Sequence, residues 1–156
     1  MFEGRLVLIA VSPTLGGPMR ALPTARIVLG RGIEGDRKFQ GAADDGHDPA
    51  REVTLIEGEA LSAIAREKQI AIRPEEARRN LVTSGVPLNH LVGRRFSVGE
   101  VVLEGQRLCE PCEHLESLTV PGIHDALRHR GGLRANIVRG GAIRPWDAIR
   151  PMDGAA

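Results

Sequence analysis

Residues 96–109 read FSVGEVVLEGQRLC, and this stretch decides the class of fold. Its valines, phenylalanine and leucines favour extended backbone, so 96–103 and 107–109 read as strand, punctuated by Gly99 and Gly105 where the chain can turn. Working outward, the same character recurs upstream at 80–83 within RRNLVTSG (78–85) and downstream at 134–138 and 148–150. Towards the N-terminus, 5–11 and 26–29 are compact β-branched and leucine runs, and 51–57 reads as another strand. Helical periodicity is rare. GEALSAIAREKQ (58–69) places Leu61, Ile64 and Ala65 on one face, and 123–130 is a shorter second helix. Many short strands, few helices and turning glycines predict a mixed α/β, mainly β architecture: a curved or partly closed β-barrel with short helices outside it. At 156 residues the chain is expected to be one domain spanning 1–156.

Composition narrows the function classes. The 21 basic and 20 acidic side chains leave a formal charge of +1, without the field a non-specific nucleic-acid binder needs. Aromatic residues are 3% of the chain and tyrosine is absent, so base stacking is poorly supplied. The first apolar run, 6–11, is too short for a secretory core or a membrane span, which predicts a cytoplasmic protein with neither nucleic acid nor membrane as partner. Two cysteines in a reducing compartment are more often reactive or metal-binding than a structural staple. All but two basic residues are arginine. The exceptions, Lys38 and Lys68, lie in a Gly/Asp-rich loop (30–49) and at the polar end of the helix, where a solvated ammonium is expected.

The cysteines sit in LCEPCEHL (108–115). Cys109 and Cys112 admit several chemistries. A dithiol oxidoreductase would want the pair opening a helix in a βαβ unit; a zinc site could add His124 and His129; two small buried residues need no function at all. The remaining reading is a soft thiolate ligand to a redox metal held in a cofactor. In RRNLVTSG, an extended Arg78-Arg79-Asn80 would put Arg78 and Asn80 on one face as an oxyanion clamp and Arg79 on the other. One of the arginines could instead close a surface ion pair with Glu75 or Glu76. HRGGLRANIVRGG (129–141) sets Arg130, Arg134 and Arg139 among four glycines, but it lacks the GK[ST] of a phosphate loop.

The succession RRNLVTSGV, LNHLVGRRFSVGEVVLEG, LCEPCEHL and RGGLRANIVRGG resembles the MOSC domain, the module found at the C-terminus of molybdenum cofactor sulfurases. The resemblance covers about residues 50–150, with the upstream EGDRK loop compatible with it. It implies a strand-rich barrel-like fold. It further implies that Cys112 binds molybdenum of a pyranopterin cofactor, with Cys109 as the neighbouring thiol, and that Arg78 and Asn80 lie at the cofactor's phosphate end. Arg79 and Arg134 join the candidate cofactor-binding set without a family role to transfer. Trp146-Asp147 departs from the Gly-Asp of many relatives and leaves the terminal turn open.

The implied function is a molybdenum-cofactor protein, either a small reductase of N-hydroxylated compounds or a carrier of cofactor or sulfur. A non-catalytic binding module and a dithiol redox protein are the alternatives. No pyridoxal phosphate is expected in this chain alone. A separate cysteine desulfurase or an electron-transfer protein is the expected protein partner.

Overall fold

The computed structural model describes residues 2–14, 16–39 and 48–152. In chain order the elements are β1 (Gly4–Val11), β2 (Arg20–Leu22), β3 (Ala25–Val28), β4 (Gly32–Ile33), β5 (Val53–Glu57), α1 (Gly58–Lys68), β6 (Leu81–Ser84), β7 (Arg95–Val98), β8 (Val101–Leu108), α2 (Glu113–Leu118), α3 (Ile123–Ala126), β9 (Leu133–Arg139), β10 (Gly141–Ile143) and β11 (Ala148–Pro151). Seven strands run in the order β11-β7-β8-β9-β5-β6-β1, and β11 pairs back onto β1, so the barrel is closed. β2 extends the sheet beyond β1, and β10-β3-β4 form a second small sheet. Closure removes the free edges that a partly open sheet would present.

The inward face follows the period of two: Leu133, Ala135 and Ile137 on β9 point into the barrel with Leu55, Leu81, Phe96 and Leu103. β5 and β6 are the parallel pair, joined by α1. Their outward residues Ile56 and Val82 are covered by Ala60, Leu61 and Ile64 of α1 and by Leu115, Ile123 and Leu127 around α2 and α3. Both faces of this pair are therefore buried, which explains why 53–56 are buried throughout, Thr54 included, without the alternation of a half-buried strand. α1 stops at Gln69, whose left-handed backbone lets its N–H reach the Ile64 carbonyl, with Arg66 and Lys68 favourably placed in the last turn.

Several elements differ from the sequence expectation. The run 96–103 is two strands: Gly99 at φ +56° makes the hairpin between β7 and β8. The helix expected over 123–130 ends at Ala126, because the chain turns at His129, at φ +64°, to enter β9. α2, only 6 residues long, has too little periodicity to be read in advance. The long loop expected over 30–49 begins with β4, and 40–47 of it lies outside the described residues. Among the described residues no helix is long and apolar enough to cross a membrane.

Candidate functional site

The cysteine loop leaves β8 at Leu108 and is tied at once to β9, the Cys109 amide donating to the Gly132 carbonyl at 2.7 Å. Cys109 is 2% exposed, whereas Cys112 stands at the surface ahead of α2. What fixes this loop is Arg79. Its guanidinium is buried and donates through Nε to the Gly131 carbonyl (2.9 Å) and through an Nη to the Cys109 carbonyl (3.1 Å). Gly131 allows the approach: a Cβ there would lie 2.6 Å from the Cys109 carbonyl oxygen and 2.8 Å from Pro111. Burial pulls the Arg79 pKa below its usual value; Cys109 opposes that pull, Arg134 adds to it and Cys112 opposes it. Arg79 thus lies in the electrostatic reach of both thiols and of Arg134.

Beside this clamp is a small hollow of about 40 Å³, lined by Ser12, Met19, Asp36, Arg37, Lys38, Thr54, Arg78 and Asn80. Asp36 builds its rim. One carboxylate oxygen accepts from the Ser12 amide (2.9 Å) and the other from the Lys38 amide (3.2 Å), while the Arg37 amide donates to the Ser12 carbonyl. The single acid of the lining is thereby turned onto backbone. Burial draws the Lys38 pKa down, and Arg134, Arg37 and Arg51 reinforce this against Asp36. Arg78 is shifted down by burial and then by Arg37. Arg134, opposite Thr54 in the β5–β9 register, acts on both Lys38 and Arg79 and so links hollow and cysteine loop. An excess of desolvated cations over acids favours an anionic ligand.

Arg78 and Asn80 do line one hollow, but not by strand alternation. Arg78 is left-handed (φ +61°) and precedes β6, and its guanidinium donates to the Gly17 carbonyl at 2.8 Å. The Asn80 amide is occupied internally: its oxygen accepts from the Thr54 amide and hydroxyl, and its nitrogen donates to the Ala10 carbonyl. It therefore braces β1, β5 and β6 under the cations. Arg79, expected to face away, is corrected to a buried residue at 7% exposure, because the extended register assumed for it begins only after the turn at Arg78. Glu75 and Glu76 pair with Arg73, not with Arg78 or Arg79. Lys38 is half-buried instead of solvated, since the Asp36 turn carries it against the barrel. Cys109, Cys112, His124 and His129 do not assemble as a zinc set: among the described residues no cluster of three metal-ligating side chains exists, and His129 pairs with Glu110 at 3.1 Å. Sequence reasoning missed Arg37, Lys38 and Arg51 as part of the cation group. For Arg37 and Lys38 the signal was the Gly35-Asp36 turn, which sets two basic residues in a loop that has to pack somewhere; Arg51, just before β5, carried none.

The fold is thus a closed seven-stranded barrel that carries a surface thiol and, beside its cysteine loop, a cation-lined hollow. A family profile described as the MOSC domain matches residues 36–150, and the chain belongs to that family, which is associated with the molybdenum cofactor. Similar solved structures include the YuaD protein from Bacillus subtilis, at 20% identity with TM-score 0.77, covering 96% of this chain and 97% of that one. YiiM from Geobacillus stearothermophilus matches at 12% identity and TM-score 0.71, covering 97% of this chain and 78% of its own. YiiM from Escherichia coli matches at 16% identity and TM-score 0.68, covering 96% and 70%. At these identities the likeness is one of fold. No curated protein matches the chain in sequence.

Proposed function

We propose that this chain binds the pyranopterin molybdenum cofactor, with the Cys112 thiolate on the metal and Arg78, Lys38 and Arg37 around the phosphate. The observation that carries the reading is the exposed thiol of Cys112 joined through Arg79 and Arg134 to cations whose one lining carboxylate is already engaged. The donor chemistry fits the group: a thiolate is a soft ligand, and arginine forks match phosphate oxygens. A hollow of about 40 Å³ suits a terminal oxyanion and not a whole pterin. When bound, the cofactor would supply two-electron redox chemistry at its metal. The chain's own residues bind and orient. Arg79 holds the loop that presents Cys112, Asn80 and Thr54 brace the strands beneath the cations, and Arg134 spans the two parts.

Metal analysis and pterin fluorescence on protein made in a cofactor-competent host test this reading. Cys112→Ser should lose metal, because a hydroxyl is a far poorer ligand, and Cys109→Ser should lose less. Equal molybdenum in wild type and Cys112→Ser would remove Cys112 from the role. Cys109, a second thiol buried three residues away, supports a carrier of cofactor or sulfur as the second reading. A separate cysteine desulfurase would then load a persulfide, visible by mass spectrometry as one added sulfur. Turnover of an N-hydroxylated compound with an electron donor would favour the reductase.

A further inference from the structure

Lys38 is one of two lysines in a chain whose other basic side chains are arginine. Its setting is unlike that of Lys68, which lies exposed in the last turn of α1. The Lys38 backbone is held by Asp36, its side chain is half-buried against the hollow, and among the described residues no hydrogen bond or ion pair holds its amine. Arg37, Arg51 and Arg134 face it with like charge, and Asp36 is the acid in reach. Such an amine gives up its proton more readily than a solvated one, which is the condition for nucleophilic amine chemistry.

We propose that Lys38 is a carbonyl-capturing amine, whose Nζ forms an imine with a small aldehyde or 2-oxo acid carrying its own oxyanion to Arg37 and Arg78. The proposal rests on the reading that this hollow takes an oxyanion, and it adds a covalent step to it. The Nζ lone pair attacks the carbonyl carbon, and a C–N bond forms as the π pair moves to oxygen. Both amine hydrogens leave with that oxygen as water, which gives C=N with no net oxidation or reduction. The arginines supply what the amine lacks. They collect the anionic end of the substrate and hold its carbonyl near a nucleophile that would otherwise meet it only by diffusion. The volume of about 40 Å³ selects for compounds of a few heavy atoms within the hollow.

The test is reductive trapping on the full chain. Glyoxylate is the charged probe, propanal the uncharged one, and cyanoborohydride the reductant, with peptide mass spectrometry reading Lys38 against Lys68. Glyoxylate should label Lys38 several-fold faster than Lys68, because burial and the surrounding like charge leave more of its amine unprotonated and the arginines collect the anionic probe beside it. That preference should shrink with propanal, with added inorganic phosphate, and in Arg37→Ala, a change at an exposed side chain that leaves the fold intact. Equal labelling of the two lysines would overturn the proposal. Phosphate binding by calorimetry separates the two readings. Phosphate bound with Lys38 unlabelled defeats the imine alone, whereas Lys38 labelling indifferent to phosphate and to Arg37→Ala defeats the oxyanion assignment.

Discussion

Arg79→Ala is the perturbation that most directly probes how the cysteine loop is held. The guanidinium donates to two buried carbonyls, of Gly131 at 2.9 Å and of Cys109 at 3.1 Å. Truncation leaves both acceptors without a partner in a region closed to water, at about 1–3 kcal/mol each, so the expected loss is about 2–6 kcal/mol. Arg78→Ala gives the contrast. Arg78 is half-buried and makes one bond to Gly17, so its removal should cost about 0.5–1.5 kcal/mol. Urea unfolding supplies the energies, and titration with an aromatic disulfide reagent supplies the local readout. Native wild type should react at one thiol, Cys112, while buried Cys109 reacts only on unfolding. Arg79→Ala should make Cys109 react under native conditions, because the loop is no longer pinned to β9. Equal stability losses in the two variants, or unchanged thiol stoichiometry in Arg79→Ala, would refute the clamp.

The other expectations concern anion binding and the core. Arg78→Ala should lower affinity for the molybdenum cofactor by about 1.5–3 kcal/mol, the scale of one charge-assisted hydrogen bond. In wild type, inorganic phosphate should raise the unfolding midpoint, and Arg78→Ala should reduce that rise. The Thr83 hydroxyl is fully buried and, among the described residues, has no hydrogen-bond partner. Thr83→Val should therefore stabilise the protein by about 1 kcal/mol in urea unfolding, and a loss of that size would show that the hydroxyl is satisfied. Burial raises the Glu57 pKa above 4.5, Glu59 adds to this, and the Leu88 amide and His90 oppose it. The folded carboxyl then keeps its proton where the unfolded one has released it. Its contribution is full below pH 4.5 and is lost as pH rises through the folded value. Glu57→Gln should flatten that decline in unfolding midpoints measured from about pH 4 to 7, and an unchanged slope would exclude Glu57 as its source.

How much of the molecule was legible depended on whether the signal was local. The runs at 5–11, 53–57 and 134–138 carry their strand character in their own side chains, because β-branched and large apolar residues favour pleated backbone wherever they lie. The helix at 58–69 declared itself by a single apolar face. α2, β2, β4 and β10 did not, since elements of 2–6 residues contain too few positions to show a period, whereas β3 of the accessory sheet was legible at 26–29. The cysteine spacing and the arginine block were equally visible, being adjacent in sequence. Their roles were not, because a reversal of one backbone angle at Arg78 exchanges which neighbour is buried.

By itself, then, the sequence determined a strand-rich domain with a thiol pair, an Arg-Arg-Asn block and the pattern of the MOSC family. The tertiary structure decided that the barrel closes through β11 on β1, that Arg79 braces the cysteine loop, and that Lys38 belongs with the cations. The physical reason is one of distance along the chain. Strand character depends on neighbouring residues, whereas closure, burial of a charge and the Arg79 clamp across 30 residues to Cys109 depend on contacts that exist only once the barrel has formed.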